Sequence, residues 1–91
     1  ENKIFYKELI RSMWSYFQDR LPDSHLNMNK PELVAILDRK AVKPHLITRL
    51  MTIIYQCETG IYANADMNVV KSELLEDAAE VLSSIDKILV V

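Results

Sequence analysis

A chain of 91 residues has room for one domain and one modest hydrophobic core, which excludes a second domain. Its composition, 49% hydrophobic and 26% charged, excludes a disordered tail, and 1 glycine with 3 prolines supplies too few breakers for a β-sandwich or barrel, leaving the all-α class. The formal net charge of −2 hides an asymmetry: residues 1–50 carry 9 Lys/Arg against 6 Asp/Glu and residues 51–91 carry 2 against 7, or +3 and −5, a split that predicts antiparallel packing of a basic first half on an acidic second half.

The first helix is expected from Lys3 to Leu21, where Phe5, Leu9, Met13, Tyr16 and Phe17 recur at helical spacing and Ile10, Trp14 and Leu21 widen the stripe. Trp14 should be at least half buried, with Tyr6 and the Trp14 edge partly exposed. Pro22 stops the helix by pushing Leu21 out of helical geometry. A polar loop over 23–28 should tuck Leu26 and Met28 beneath the bundle. Asn29 then caps a short second helix that has Pro31 in its first turn, Glu32 on its dipole and Leu33, Ile36 and Leu37 facing inward.

Ala41-Val42-Lys43 breaks the pattern, and a third helix runs from Pro44 to about Glu58. Its Leu46, Ile47, Leu50, Met51, Ile53, Ile54 and Cys57 offer apolar groups on every turn, as a central helix requires. Gly60 stands where a left-handed residue would close that helix, with Ile61 and Tyr62 folding back on it. Asp66 is the expected cap of a fourth helix that reaches about Leu89 through Val70, Leu74, Ala78, Val81, Leu82, Ile85 and Ile88, with Glu73, Glu76, Asp77 and Glu80 in water. The expected architecture is therefore all-α, a single compact four-helix bundle with a short second helix, spanning residues 1–91.

Catalytic chemistry has little to stand on. His45 and Cys57 are twelve residues of helix apart, ~18 Å, too far for a nucleophile and its base. Cys57 reads as a small core residue, and the lone cysteine allows no internal disulfide, which points to a reducing compartment. Two isolated histidines and one cysteine give no metal-ligand pair at i, i+3 or i, i+4. The run Asn64-Ala65-Asp66-Met67-Asn68 opens like a calcium loop, yet Val69 and Leu75 replace the glycine and glutamate such a loop needs. A single glycine rules out a phosphate loop, so no cofactor, metal or catalytic residue is expected.

Two binding readings remain open on the residues alone. The second and third helices resemble a helix-turn-helix with Lys43, His45, Thr48, Arg49 and Thr52 toward a major groove, although Arg39, Lys40, Lys43 and Arg49 also suit a solvated rim. The other reading is a protein-binding surface where the third helix ends, at Glu58, Ile61 and Tyr62, because loops on rigid scaffolds concentrate binding residues. Its bland counterpart is that Ile61 and Tyr62 merely staple the loop to the core. The rim of Arg39, Lys40 and Lys43 is the next candidate surface.

Phe5-Tyr6-Lys7-Glu8, Met13-Trp14-Ser15-Tyr16-Phe17 and Asp19-Arg20-Leu21 resemble the F-Y-x-E…L-W-G-Y-L-x-D-K-L stretch of the C-terminal cytoplasmic helical domain of the BatD (Bacteroides aerotolerance) family. Asn29 to Lys40, Ala41-Val42 to Leu50, and Gln56-Cys57-Glu58 with Tyr62-Ala63 are similar to that domain's second helix, third-helix entry and C-E-x-x-R-Y-A segment, so the resemblance covers about 4–89. Gly60 and Ile61 stand where the family pattern has a small residue and Arg. The resemblance implies a parent with an exported β-rich region, a membrane helix and this domain on the cytoplasmic face of the bacterial inner membrane. It implies as partners the von Willebrand A-type Bat proteins and a MoxR-type AAA+ ATPase, with no enzymatic activity and a role in aerotolerance and oxidative stress.

No apolar run approaches the ~18 residues of a membrane span, no signal peptide is visible, and the missing initiator Met suggests a piece of a longer protein. The expectation is a non-catalytic protein-interaction domain, monomeric in isolation, that binds no nucleic acid and does not itself span the membrane; the alternative is the helix-turn-helix-like nucleic-acid-binding domain.

Overall fold

A computed structural model of the chain describes residues 2–21, 29–63 and 71–90. Among these residues four helices carry the fold: α1 (Asn2–Arg20), α2 (Lys30–Arg39), α3 (Pro44–Glu58) and α4 (Lys71–Leu89), with a widened π-type turn (Thr59–Ala63) prolonging α3. The expected all-α four-helix bundle with a short second helix is the observed one. The loop over 23–28, the Pro22 stop, the Asp66 cap, Val70 and the calcium-like run from Asn64 to Asn68 lie outside the described residues.

Local chemistry explains the ends that are seen. Asn29 is extended (φ −109°, ψ 175°) and its side chain accepts the Glu32 N–H at 2.9 Å, with Pro in the first turn behind it. At the other end of α2, Ala41 N–H donates to the Asp38 carbonyl at 3.1 Å and Val42 N–H to that of Leu37 at 3.0 Å. That pair of bonds is a Schellman cap, and it places Ala41 in left-handed geometry at φ 67°. Val42 is buried after it and Leu37 fully so, the apolar contact that accompanies such caps.

α3 lies at the centre and packs on α1, α2, α4 and the π turn. Leu46, Ile47, Leu50, Ile53, Ile54 and Cys57 are buried along it, and Leu33, Ile36 and Leu37 form the inner face of α2. α4 contributes Leu74, Ala78, Val81 and Ile85, leaving Glu73, Glu76, Asp77 and Glu80 exposed as expected. On α1 the buried line is Tyr6, Leu9, Met13 and Phe17, continued by Leu21, with Phe5, Ile10, Trp14 and Tyr16 partly buried against the core. Each such aliphatic or aromatic side chain contributes ~1.5–3 kcal/mol when fully buried.

Directions follow from the contacts. Lys71 at the start of α4 stands over the Phe5 ring, 5.6 Å from its centroid, and Asp86 near the end of α4 pairs with Arg20 at the end of α1, so α1 and α4 run parallel. α3 runs against both, because Tyr6 at the start of α1 meets the backbone just past the end of α3. The antiparallel packing expected from the charge split holds for α1 against α3 but not for α1 against α4, which run parallel. Arg20–Asp86 at 3.2 Å, Lys30–Glu58 at 2.7 Å and Arg49–Glu80 at 2.9 Å each join a first-half cation to a second-half anion, but the α1–α4 pair is parallel since α3 intervenes in the chain.

Two expectations for single residues are corrected. Gly60 is not left-handed: no described glycine has positive φ, and the backbone leaves α3 in helical geometry at Thr59 (φ −61°, ψ −42°). Tyr6, expected partly exposed, is 5% exposed. The two corrections have one cause. A Cβ on Gly60 would collide with the Tyr6 ring, so the missing side chain is what admits the ring against the backbone.

Candidate functional site

The site proposed from sequence lies where α3 runs into the π turn. Helices rarely widen in this way, and such turns recur at functional sites because they re-aim side chains relative to the regular helix. Here the turn separates two neighbours: Ile61 is buried in the core cluster at 8% exposure, whereas Tyr62 stands out at 82%. The stapling alternative thus describes Ile61 and fails for Tyr62, which does not fold back on α3. Ile61 offers a partner only what its buried position leaves accessible.

Glu58, the last residue of α3, points to α2 and accepts an ion-paired hydrogen bond from Lys30 Nζ at 2.7 Å. Cys57 beside it is fully buried, and its thiol pKa is pushed up to about 11, first by burial and then by the Glu58 charge. A thiol so placed is a weak nucleophile at neutral pH, consistent with a packing residue.

Sequence reasoning missed the residues that stand next to Tyr62. Lys3, Lys7 and Arg11, spaced i, i+4, i+8, share one face of α1, and with Ile10, Ile61 and Tyr62 they line an open groove of about 480 Å³. The spacing was legible in the sequence; its meeting with the π turn was not. Arg11 is loosely held by Glu8 at 3.3 Å, both side chains being largely exposed. Lys3 and Lys7 have no carboxylate partner among the described residues.

The opposite side of α1 carries a second, apolar groove of about 390 Å³ against α4, between Phe5, Leu9 and Met13 on one wall and Leu75, Ala79 and Leu82 on the other. On the α2–α3 face, Lys43, His45, Thr48 and Thr52 are exposed. Arg49, however, is held by Glu80 at 2.9 Å and Asp77 at 3.8 Å, and the Thr52 hydroxyl donates to its own helix at Thr48. Arg39, Lys40 and Lys43 are exposed as a rim.

Among the described residues no three His, Cys, Asp or Glu side chains gather as metal ligands would, and no helix is long and apolar enough to cross a membrane. No protein-family model, curated protein or solved structure matches the chain.

Proposed function

We propose that this chain is a non-catalytic protein-interaction domain of a BatD-like membrane protein, turned to the cytoplasm, whose partners are von Willebrand A-type Bat proteins and a MoxR-type AAA+ ATPase. The family part of this reading rests on the residues Trp14-Ser15-Tyr16 and Cys57-Glu58 with Tyr62-Ala63. The interaction part rests on one observation, the π turn that holds Tyr62 at 82% exposure beside three cations of α1. A large aromatic group held out at a helix end is the kind of side chain that anchors interfaces. The nucleic-acid reading would require α3 to give up the Arg49 pairs to Glu80 and Asp77, and nothing favours that exchange.

Capture tests it. The immobilised chain, offered a von Willebrand A-type Bat protein and a MoxR-type ATPase, should retain at least one of them, and Tyr62→Ala should weaken capture by ~1–2 kcal/mol while the melting temperature changes little. Retention of neither protein, or equal retention by the Tyr62 variant, overturns the reading.

A further inference from the structure

We propose that the groove between α1 and the π turn is a docking site for a short acidic segment of a partner protein, its carboxylates on Lys3, Lys7 and Arg11 and one apolar side chain on Tyr62, Ile10 and Ile61. This assignment rests on the protein-interaction reading and gives its site a ligand chemistry.

The occupant is set by the lining. Two of the three cations lack a carboxylate partner among the described residues, and the third has only an exposed contact with Glu8. Among the described residues Arg20, Lys30 and Arg49 are each neutralised by an acid on another helix, whereas this stripe, like the rim of Arg39, Lys40 and Lys43, keeps its positive charge; only the stripe has an exposed aromatic ring and a groove beside it. From Lys3 to Arg11 is eight residues of helix, ~12 Å, the span of about four extended residues or two helical turns. A partner segment with two or three carboxylates over that distance matches the stripe in register.

The apolar members argue for a peptide over a polyanion. Tyr62 is 82% exposed and stands beside the cations, offering a face on which an apolar or aromatic side chain packs. A duplex phosphate backbone would use the cations and leave that face idle. An extended polyanion would also meet a chain of net charge −2 that exposes Glu73, Glu76, Asp77 and Glu80 along α4. A short segment confined to the groove avoids them.

The probe is a fluorescent peptide of about 12 residues, Asp and Glu flanking one Leu and one Phe, titrated into the 91-residue chain. Expected are saturable binding, amide shift changes concentrated at residues 3–11 and 59–63, and a loss of about tenfold or more in affinity between low and moderate salt. Lys3→Gln with Lys7→Gln should weaken binding about tenfold; Lys7→Glu with Arg11→Glu should abolish it; Tyr62→Ala should weaken it at every salt concentration. Far-UV circular dichroism of each variant establishes that the helices are intact. The same peptide with Asn and Gln in place of its acids should not bind. Shifts that map elsewhere, or variants that bind like the parent chain, overturn the proposal. It is equally overturned if single-stranded DNA or anionic phosphatidylglycerol vesicles bind the groove more tightly than the peptide, or if the site is filled by a second copy of the chain, seen as self-association in sedimentation that Lys3→Gln with Lys7→Gln removes. Failure of the peptide with Bat-protein capture intact would sink the groove alone; loss of both would sink the interaction reading with it.

Discussion

Ala41 holds a conformation that suits glycine, and Gly60 holds one that any residue could adopt. A left-handed alanine costs ~1–2 kcal/mol relative to its preferred regions, while glycine adopts φ 67° at no steric cost but loses more entropy on folding. The balance predicts that Ala41→Gly, at an exposed site, stabilises the protein by ~0.5–1 kcal/mol and raises its melting temperature by about 2–8 °C. An unchanged or lower melting temperature would mean that the entropy glycine loses on folding matches or exceeds the strain relieved at Ala41. Gly60→Ala should do the reverse, costing ~1–3 kcal/mol as the Tyr6 ring is driven off. In a Tyr6→Ala background that cost should largely vanish, since the obstacle is the ring; a cost that stays the same would place the strain elsewhere.

The ends of α1 and α4 are joined by side chains that act together. The Tyr16 hydroxyl donates to Asp86 Oδ1 at 2.5 Å, Arg20 Nε approaches the same oxygen at 3.2 Å, and the Arg20 guanidinium lies 5.8 Å from the centroid of the Tyr16 ring. A hydrogen bond to a charged acceptor, part-buried, outweighs an exposed ion pair, whose typical contribution is ~0–1 kcal/mol. Tyr16→Phe with Asp86→Ala should therefore show a coupling of ~1–2 kcal/mol in a double-mutant cycle by urea denaturation, and Arg20→Ala a smaller one with the same aspartate. Coupling near zero for the tyrosine pair would leave α1 and α4 held by apolar packing, the Arg20–Asp86 pair and the Lys71 contact with Phe5. α2 has no such tie to α4. It is fastened to α3 by its cap and its three buried residues, and to the π-turn end of α3 by Lys30–Glu58.

At the scale of the whole molecule, two raised proton affinities bear on stability at alkaline pH. Cys57 is held at about 11 against an ordinary value of 9.0, by burial first and by Glu58 second. The Tyr16 hydroxyl is raised as well, by burial first and then by its bond to Asp86. In both cases the folded chain keeps a proton that the unfolded chain gives up sooner. Their stabilisation is complete below the unfolded values and is lost as pH rises through the folded ones. Denaturant midpoints should thus hold to pH 9 and fall from there toward 11, with Cys57 contributing about 2 kcal/mol of the decline. Cys57→Ala should remove that part of the slope at a cost of ~1–2 kcal/mol at neutral pH. A slope unchanged by the substitution would show that the thiol is not buried in solution.

What the sequence determined by itself was the helix inventory and the class. Apolar spacing, the Asn29 cap and the prolines act within a few residues, so the limits of α2 and α3 and the central place of α3 could be read directly. So could Cys57 as core and the exposed acids of α4. Tertiary structure decided whatever depends on a neighbour remote in the chain. That the only glycine admits a tyrosine ring from α1 cannot be inferred from either segment. Nor can the use of Ala41 in the left-handed position, which the burial of Val42 makes worth its strain. The candidate site divides along the same line. Tyr62 and Glu58 were marked by composition at a helix end, but the inward turn of Ile61 and the arrival of Lys3, Lys7 and Arg11 beside Tyr62 depend on α1 running against α3. Periodicity gives a helix its faces, and only packing decides what each face meets.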